Sequence, residues 1–135
     1  MNVFIVEDSE IMREHIQSML SAIPGIEVVG HAADELGAIE QINTLLPDVV
    51  TIDISLQPGS GISVLENIKK QHPEIRAIVL TNYTDRFYAD SCKRAGADYF
   101  FDKTFQFSRV RSAFWSWIYA DQMGNKAASL LEPER

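Results

Sequence analysis

At 135 residues the chain has the size of one domain, since domains run to roughly 100–200 residues. Hydrophobic residues make up 46% and charged residues 23%, which is a globular composition and excludes a disordered or low-complexity chain. The 12 Lys+Arg against 19 Asp+Glu leave a net charge of −7, a poor match for a phosphate backbone, and the single cysteine, Cys92, excludes an intramolecular disulfide and a cysteine-ligated zinc site.

The N-terminus, Met1-Asn2-Val3-Phe4-Ile5-Val6-Glu7-Asp8, has no basic segment ahead of its apolar run, so it is not a signal peptide. No apolar run approaches the roughly 18–20 residues that span a bilayer, and a soluble cytoplasmic protein without a membrane partner is expected. Val3-Phe4-Ile5-Val6 is continuously apolar, as a strand buried on both faces requires. Ser9 is placed to cap the helix that follows, whose apolar positions are Met12, Ile16, Met19, Leu20 and Ile23, with Pro24-Gly25 as its stop. Glu27 to His31 reads as a second strand. Leu36, Ile39, Ile42 and Leu46 form the next helical stripe, ended by Pro47, and Val49 to Asp53 reads as a third strand.

A loop over Ser55 to Gly61 leads to a helix with Val64, Leu65 and Ile68 on one face, closed by Pro73. Ala77 to Leu80 is a fourth strand, Asp85 to Ala95 a helix stopped by Gly96, and Tyr99-Phe100-Phe101 a short fifth strand. The last helix is expected from near Thr104, with Val110, Ala113, Phe114, Trp117 and Ile118 on its buried face. Strict strand–helix alternation with short connections predicts a (βα)5 α/β domain, a parallel sheet covered on both faces. The domain is expected over residues 1–121. The tail 122–135 either extends the last helix or frays, with fraying near the end favoured.

Open parallel sheets bind ligands beyond the carboxyl ends of their strands. There the chain carries Glu7-Asp8 after the first strand, Asp53 after the third, Thr81 after the fourth and Lys103 after the fifth. Three carboxylates in a partly desolvated place repel one another unless positive charge joins them. Lys103 supplies one charge. A hard divalent cation supplies the rest, and Mg²⁺ suits a few carboxylates with waters retained. An aspartate carboxylate is a competent nucleophile toward phosphorus. Phosphoryl transfer needs mainly positioning and charge stabilisation. Asp53, the lone acid at the end of the central apolar strand, is the natural nucleophile. Thr81 and Lys103 are then expected to hold phosphoryl oxygens. Taken alone, Glu7-Asp8 is an ordinary acidic helix start, Asp53 a turn residue, Thr81 a cap and Lys103 a surface lysine; the set of them at predicted strand ends is what carries the reading.

These residues, with Gly96-Ala97-Asp98 before the fifth strand and Pro58-Gly59-Ser60-Gly61 after Asp53, resemble the response-regulator receiver family over residues 2 to about 120. The resemblance implies a doubly wound, flavodoxin-like sheet of order 2-1-3-4-5. It implies Asp53 as phosphoacceptor, charged by a histidine kinase or a histidine phosphotransfer protein. Mg²⁺ would be held by Asp8, Asp53 and the Ser55 backbone carbonyl, with Glu7 helping directly or through water. Thr81 and Phe100 are implied as switch residues, and the face of the fourth helix, fifth strand and fifth helix as the surface read by a downstream protein or a second copy. In the family, the residues two after the phosphoacceptor and two after the threonine influence access of the hydrolytic water; here they are Ser55 and Tyr83. Three positions depart from the family pattern: Gln57 precedes the loop proline, Asn82 stands where a small residue is usual, and Phe100 replaces the commoner tyrosine.

His15, His31 and His72 lack metal-ligand spacing, and Cys92 is expected to be a packed small residue. Trp115 and Tyr119 lie off the centre of the last helix's apolar stripe; they are either edge cover for the core or a partner surface. Among other classes, a flavin or nucleotide binder needs a Gly/Ser/Thr-rich cradle after the first strand, where this chain has Glu7-Asp8-Ser9-Glu10. A haloacid-dehalogenase-like phosphatase needs a second aspartate where Ser55 stands. A DNA-binding regulator needs an appended helix-turn-helix domain. The expectation is therefore a stand-alone signalling receiver, not an enzyme acting on an external substrate. A degenerate receiver serving as a phosphorylation-independent interaction module is the alternative.

Overall fold

A computed structural model describes the chain from Met1 to Leu131, with side chains described through Gly124. The elements are β1 (Asn2–Val6), α1 (Glu10–Ser21), β2 (Glu27–Ala32), α2 (Glu35–Leu45), β3 (Val49–Ile52), α3 (Gly61–Gln71), β4 (Arg76–Thr81), α4 (Arg86–Arg94), β5 (Tyr99–Asp102) and α5 (Phe107–Leu131). The five strands form one parallel sheet in the order β2-β1-β3-β4-β5. This is the doubly wound, flavodoxin-like arrangement expected of the sequence. Among the described residues, no helix is long and apolar enough to cross a membrane.

Strand side chains alternate between faces, so every continuous apolar strand feeds two cores. Phe4, Val6, Val50, Ile52, Ala77 and Val79 meet Ala38 and Ile42 of α2, Val64, Leu65 and Ile68 of α3, and Cys92 of α4. Val3, Ile5, Val49, Ile78, Leu80 and Phe101 meet Ile16 and Leu20 of α1 and Val110, Ala113 and Phe114 of α5. Burial of a side chain such as Phe114 contributes about 1.5–3 kcal/mol. In β5 the alternation points Tyr99 and Phe101 to the α1/α5 side and Phe100 to the other.

The helix starts are capped by side chains that accept from their own first turns: Ser9 from Met12 N, Asp34 from Gly37 N, Ser60 from Ile62 N and Asp85 from Tyr88 N. Two expectations are corrected. α2 turns its buried face on Ala38 and Ile42, which leaves Leu36 and Leu46 exposed; Leu46 ends the helix in the left-handed region at φ 48°. The last helix begins at Phe107 and not near Thr104. Asp102 Oδ1 accepts from the backbone N–H of both Thr104 and Phe105, and Gln106 Oε1 accepts from Asp102 N. These bonds stabilise a turn over 103–106 that competes with helix. At its other end α5 continues to Leu131, so the tail expected from residue 122 extends the last helix that far, the first of the two alternatives; the remainder of that tail, 132–135, lies outside the described residues.

Candidate functional site

Backbone bonds one residue past each strand gather the polar residues. Glu7 N donates to Ala32 O at 3.0 Å, Asp53 N to Val6 O at 3.0 Å, and Lys103 N to Thr81 O at 2.9 Å. The parallel register thereby carries β1, β3, β4 and β5 to one common edge, where Glu7, Asp53, Thr81 and Lys103 are all buried and Asp8 is exposed. Lys103 Nζ donates to Asp53 Oδ2 at 2.7 Å and is ion-paired with Glu7 Oε1. Among the described residues this ammonium is the partner of Glu7 Oε1. Carboxylate oxygens of Glu7, Asp8 and Asp53 lie within 4.8 Å of one another.

The electrostatics follow from burial. Desolvation pushes Glu7 up to about 7; the Lys103 ammonium opposes this, Asp53 adds to it, and the Ser9 N–H opposes it. Burial alone would lower Lys103, but its bonds to Asp53 and Glu7 outweigh that and hold it above the usual lysine range. A lysine so held is a fixed positive charge at every physiological pH. The donor set is three hard carboxylate oxygens, one of them on the water-exposed Asp8, with the single ammonium of Lys103 set against three acids. That set fits a divalent cation such as Mg²⁺ with part of its water shell kept.

The loops around the acids are held by short-range bonds. Ser55 N donates to Asp53 Oδ1 at 3.2 Å. A methyl group on Gly61 would come within 1.9 Å of the Asp53 carbonyl oxygen, so only glycine lets α3 start this close to the end of β3. Thr81 Oγ1 accepts from Tyr83 N at 3.1 Å, and Thr104 Oγ1 donates to Asn82 Oδ1 at 3.1 Å. The latter bond ties the loop after β4 to the loop after β5. Tyr83, 49% exposed, packs edge-on against Tyr88 with ring centroids 5.7 Å apart. Both line a cleft of about 310 Å³ together with Ser55 and Leu56.

The structure thus brings together Glu7, Asp8, Asp53, Thr81 and Lys103, with Ser55 on the loop leaving Asp53. Phe100 lies elsewhere, half-buried against the core formed by α2, α3 and α4. Trp115 and Tyr119 are apart from the acids, on the outer face of α5, at 46% and 65% exposure. Tyr88 and Thr104 border the site without having been marked in the sequence: Tyr88 sits in a strongly polar helix, and Thr104 reads as a helix start.

Known proteins resemble this chain in sequence and fold. A family model described as the response regulator receiver domain matches residues 3–114. A protein-glutamate methylesterase/protein-glutamine glutaminase of Xanthomonas campestris pv. campestris is 42% identical over 84 residues, covering 62% of this chain and 23% of that enzyme. The DNA-binding transcriptional activator DevR/DosR of Mycobacterium tuberculosis is 34% identical over 82 residues, 61% of this chain and 38% of the activator. The match therefore spans well under half the length of these relatives. Among solved structures, the response regulator domain of Thermotoga maritima CheB superposes with a TM-score of 0.77 at 29% identity, covering 98% of both chains. The CheX-CheY-BeF3-Mg+2 complex of Borrelia burgdorferi gives 0.73 at 27% identity, covering 84% of this chain and 88% of its counterpart. With the family model spanning nearly the whole sheet, this chain belongs to the response regulator receiver domain family of two-component systems.

Proposed function

We propose that Asp53 accepts a phosphoryl group from the phosphohistidine of a sensor kinase or histidine phosphotransfer protein, and that the modified chain signals through a protein partner. The observation that carries this reading is the buried Lys103 ammonium bridging the Asp53 and Glu7 carboxylates. In the transfer, an Asp53 carboxylate oxygen forms a P–O bond as the P–N bond of the donor breaks. The electron pair leaves on the imidazole nitrogen, which takes up a proton from water. Lys103 offsets the charge of the incoming oxygens. Thr81 already accepts from Tyr83 N, which leaves its own hydroxyl proton to donate to a phosphoryl oxygen. Mg²⁺, held by Glu7, Asp8, Asp53 and the Ser55 backbone carbonyl, would supply the remaining charge neutralisation at phosphorus. The CheX-CheY complex, which contains BeF3 and Mg²⁺, supports the metal part of this reading.

Engagement of Thr81 by a phosphoryl oxygen would draw with it the loop after β4, whose Tyr83 N–H its Oγ1 accepts, and Phe100 on the neighbouring strand would respond. This biases a two-state element running from β4 to α5. Trp115 and Tyr119 would lie within the surface that reads it. In this role the chain is a switch that assists its own modification and acts on no external substrate. The test is intact mass after incubation with Mg²⁺ and acetyl phosphate. One phosphoryl group should add to the wild type, none to Asp53→Asn, and little to Asp8→Ala or to wild type with a chelator. Equal labelling of wild type and Asp53→Asn would sink the assignment. An unlabelled wild type that still binds its partner would favour the phosphorylation-independent module.

A further inference from the structure

We propose that Glu35, the first residue of α2, is a positioning residue for the Asp53 site: its carboxylate clasps the loop over residues 55–60 and so fixes the Ser55 backbone against Asp53. This rests on the reading of Asp53 as phosphoacceptor. Two reciprocal bonds join Glu35 to that loop, far along the sequence. Ser60 N donates to Glu35 Oε1 at 3.0 Å, and Glu35 N donates to Pro58 O at 3.3 Å. Between them Gly59 passes so close that a methyl group on it would sit 2.4 Å from Glu35 Cβ, at a φ of +105°. A glycine there serves both the approach and the conformation.

The carboxylate is not needed by its own helix. Asp34 already caps α2, accepting from Gly37 N at 2.7 Å. What Glu35 holds leads directly to the site. Ser60 is bridged to Ser55 across the loop, and Ser55 N donates to Asp53 Oδ1. Ser60 also caps α3, whose first residue, Gly61, abuts the Asp53 carbonyl and donates to Ile54 O at 2.8 Å. Without the Glu35 acceptor, Ser60 N loses its partner, and the strand-like pairing of Ser55 with Ser60 loses its outer support. Loop residues held only by short-range bonds are the first to sample other conformations. A shift there moves the Ser55 N–H and carbonyl relative to the Asp53 carboxylate, which is the geometry that both the cation and the phosphoryl group use. Outer groups that orient ligands in this way typically change metal affinity or rate about tenfold or more when removed.

The sequence gives no sign of this role, because an acid in the first turn of a helix is already accounted for by the macrodipole. The experiment compares Glu35→Ala, Glu35→Gln and Asp34→Ala with wild type. Three quantities are read: the Mg²⁺ concentration for half-maximal labelling of Asp53 by acetyl phosphate, the amide exchange of Ser55 and Ser60, and thermal stability. Glu35→Ala should raise the half-maximal Mg²⁺ concentration about tenfold and speed exchange at both serines. Glu35→Gln, whose Oε1 still accepts, should stay within about twofold of wild type. Asp34→Ala, which weakens the same helix without touching the loop, should lower thermal stability and leave the Mg²⁺ requirement unchanged. Labelling of Glu35→Ala indistinguishable from wild type, or altered only as much as in Asp34→Ala, overturns the positioning role while the reading of Asp53 stands. A wild type that takes no label overturns both, and exchange at Ser60 then reports separately on the clasp.

Discussion

Lys103 and Asp53, 50 positions apart in the chain, are joined by a 2.7 Å bond between Nζ and Oδ2 in a buried setting. The same ammonium is the counter-charge of Glu7, so one cation serves two buried acids. Removing one partner of such a set costs far more than a surface pair is worth, on the order of 3–5 kcal/mol, because a desolvated charge is left alone. Lys103→Met keeps most of the side-chain bulk and deletes the charge. Urea denaturation in chelator should show the variant destabilised. Added Mg²⁺ should restore more stability to the variant than to wild type, since the cation then has two uncompensated acids to neutralise. Equal Mg²⁺ increments in both proteins would count against a shared charge-balanced site.

The fold and this site differ in how far they could be read from residues alone. Val3 to Val6 and Val49 to Ile52 are apolar at every position but Thr51, and only a strand buried on both faces requires that, so the sheet was legible. The acids at strand ends were legible for the same reason: each interrupts an apolar run at its C-terminal edge. The start of α5 was not, because the turn after Lys103 depends on Asp102 accepting two N–H groups, and side-chain competition with helix leaves no periodic trace. Leu36 faces solvent because the stripe through Leu36, Ile39, Ile42 and Leu46 leaves out Ala38, a small residue that the core covers completely. Glu35 was invisible because its partner lies in another loop.

Thr51 is a second consequence of burial. Its neighbours in register are Ile5 and Ile78, both in the core against α1 and α5, and its buried Oγ1 has no hydrogen-bond partner among the described residues. A desolvated hydroxyl without a partner costs about 1–3 kcal/mol. Thr51→Val, close in shape, should raise the urea midpoint and add about 1 kcal/mol, without altering labelling at Asp53. A lower midpoint would show that the hydroxyl has a bound water that the protein needs.

Cys92 is fully buried in α4, and burial pushes its thiol from 9.0 up to about 11. The neutral thiol is therefore preferred in the folded state over a wider pH range than in the unfolded chain. The stability this confers is present below about pH 9 and is lost as pH rises through about 11. At pH 8 an aromatic disulfide reagent should leave the native protein unlabelled and react at once in denaturant. The stability advantage of wild type over Cys92→Ala should shrink between pH 9 and 11. A constant difference across that interval would place the thiolate in solvent contact.

Trp115 and Tyr119 lie one helical turn apart on the exposed face of α5, and Met123, one turn further on, is 44% exposed. As core cover such residues would be buried; exposed as they are, they offer apolar area to a partner, and one aromatic anchor is worth about 2 kcal/mol or more when covered. Trp115→Ala should leave urea stability nearly unchanged and weaken a phosphorylation-dependent complex by at least an order of magnitude in Kd. Loss of stability without loss of binding would return Trp115 to the core.

The lifetime of a phosphoryl group on Asp53 should depend on Tyr83. Its ring is packed edge-on against Tyr88, and both rings border the cleft that contains Ser55, the residue two after Asp53. Its backbone N–H is fixed to Thr81 Oγ1, so the aromatic side chain leaves the main chain next to the proposed phosphoryl position. A largely apolar phenol ring covers a surface without orienting a water as a carboxylate base would. Ser55 is too weak a base to do so in its place. Tyr83→Glu removes the cover, breaks the contact with Tyr88 and puts a carboxylate within reach of an attacking water. Decay of the purified aspartyl-phosphate, followed by intact mass after removal of acetyl phosphate, should be several-fold faster in this variant. Tyr83→Phe keeps the ring and should decay at the wild-type rate. If Tyr83→Glu decays no faster than wild type, the ring is not a shield, and access of water is governed by the Asn82–Thr104 bond instead.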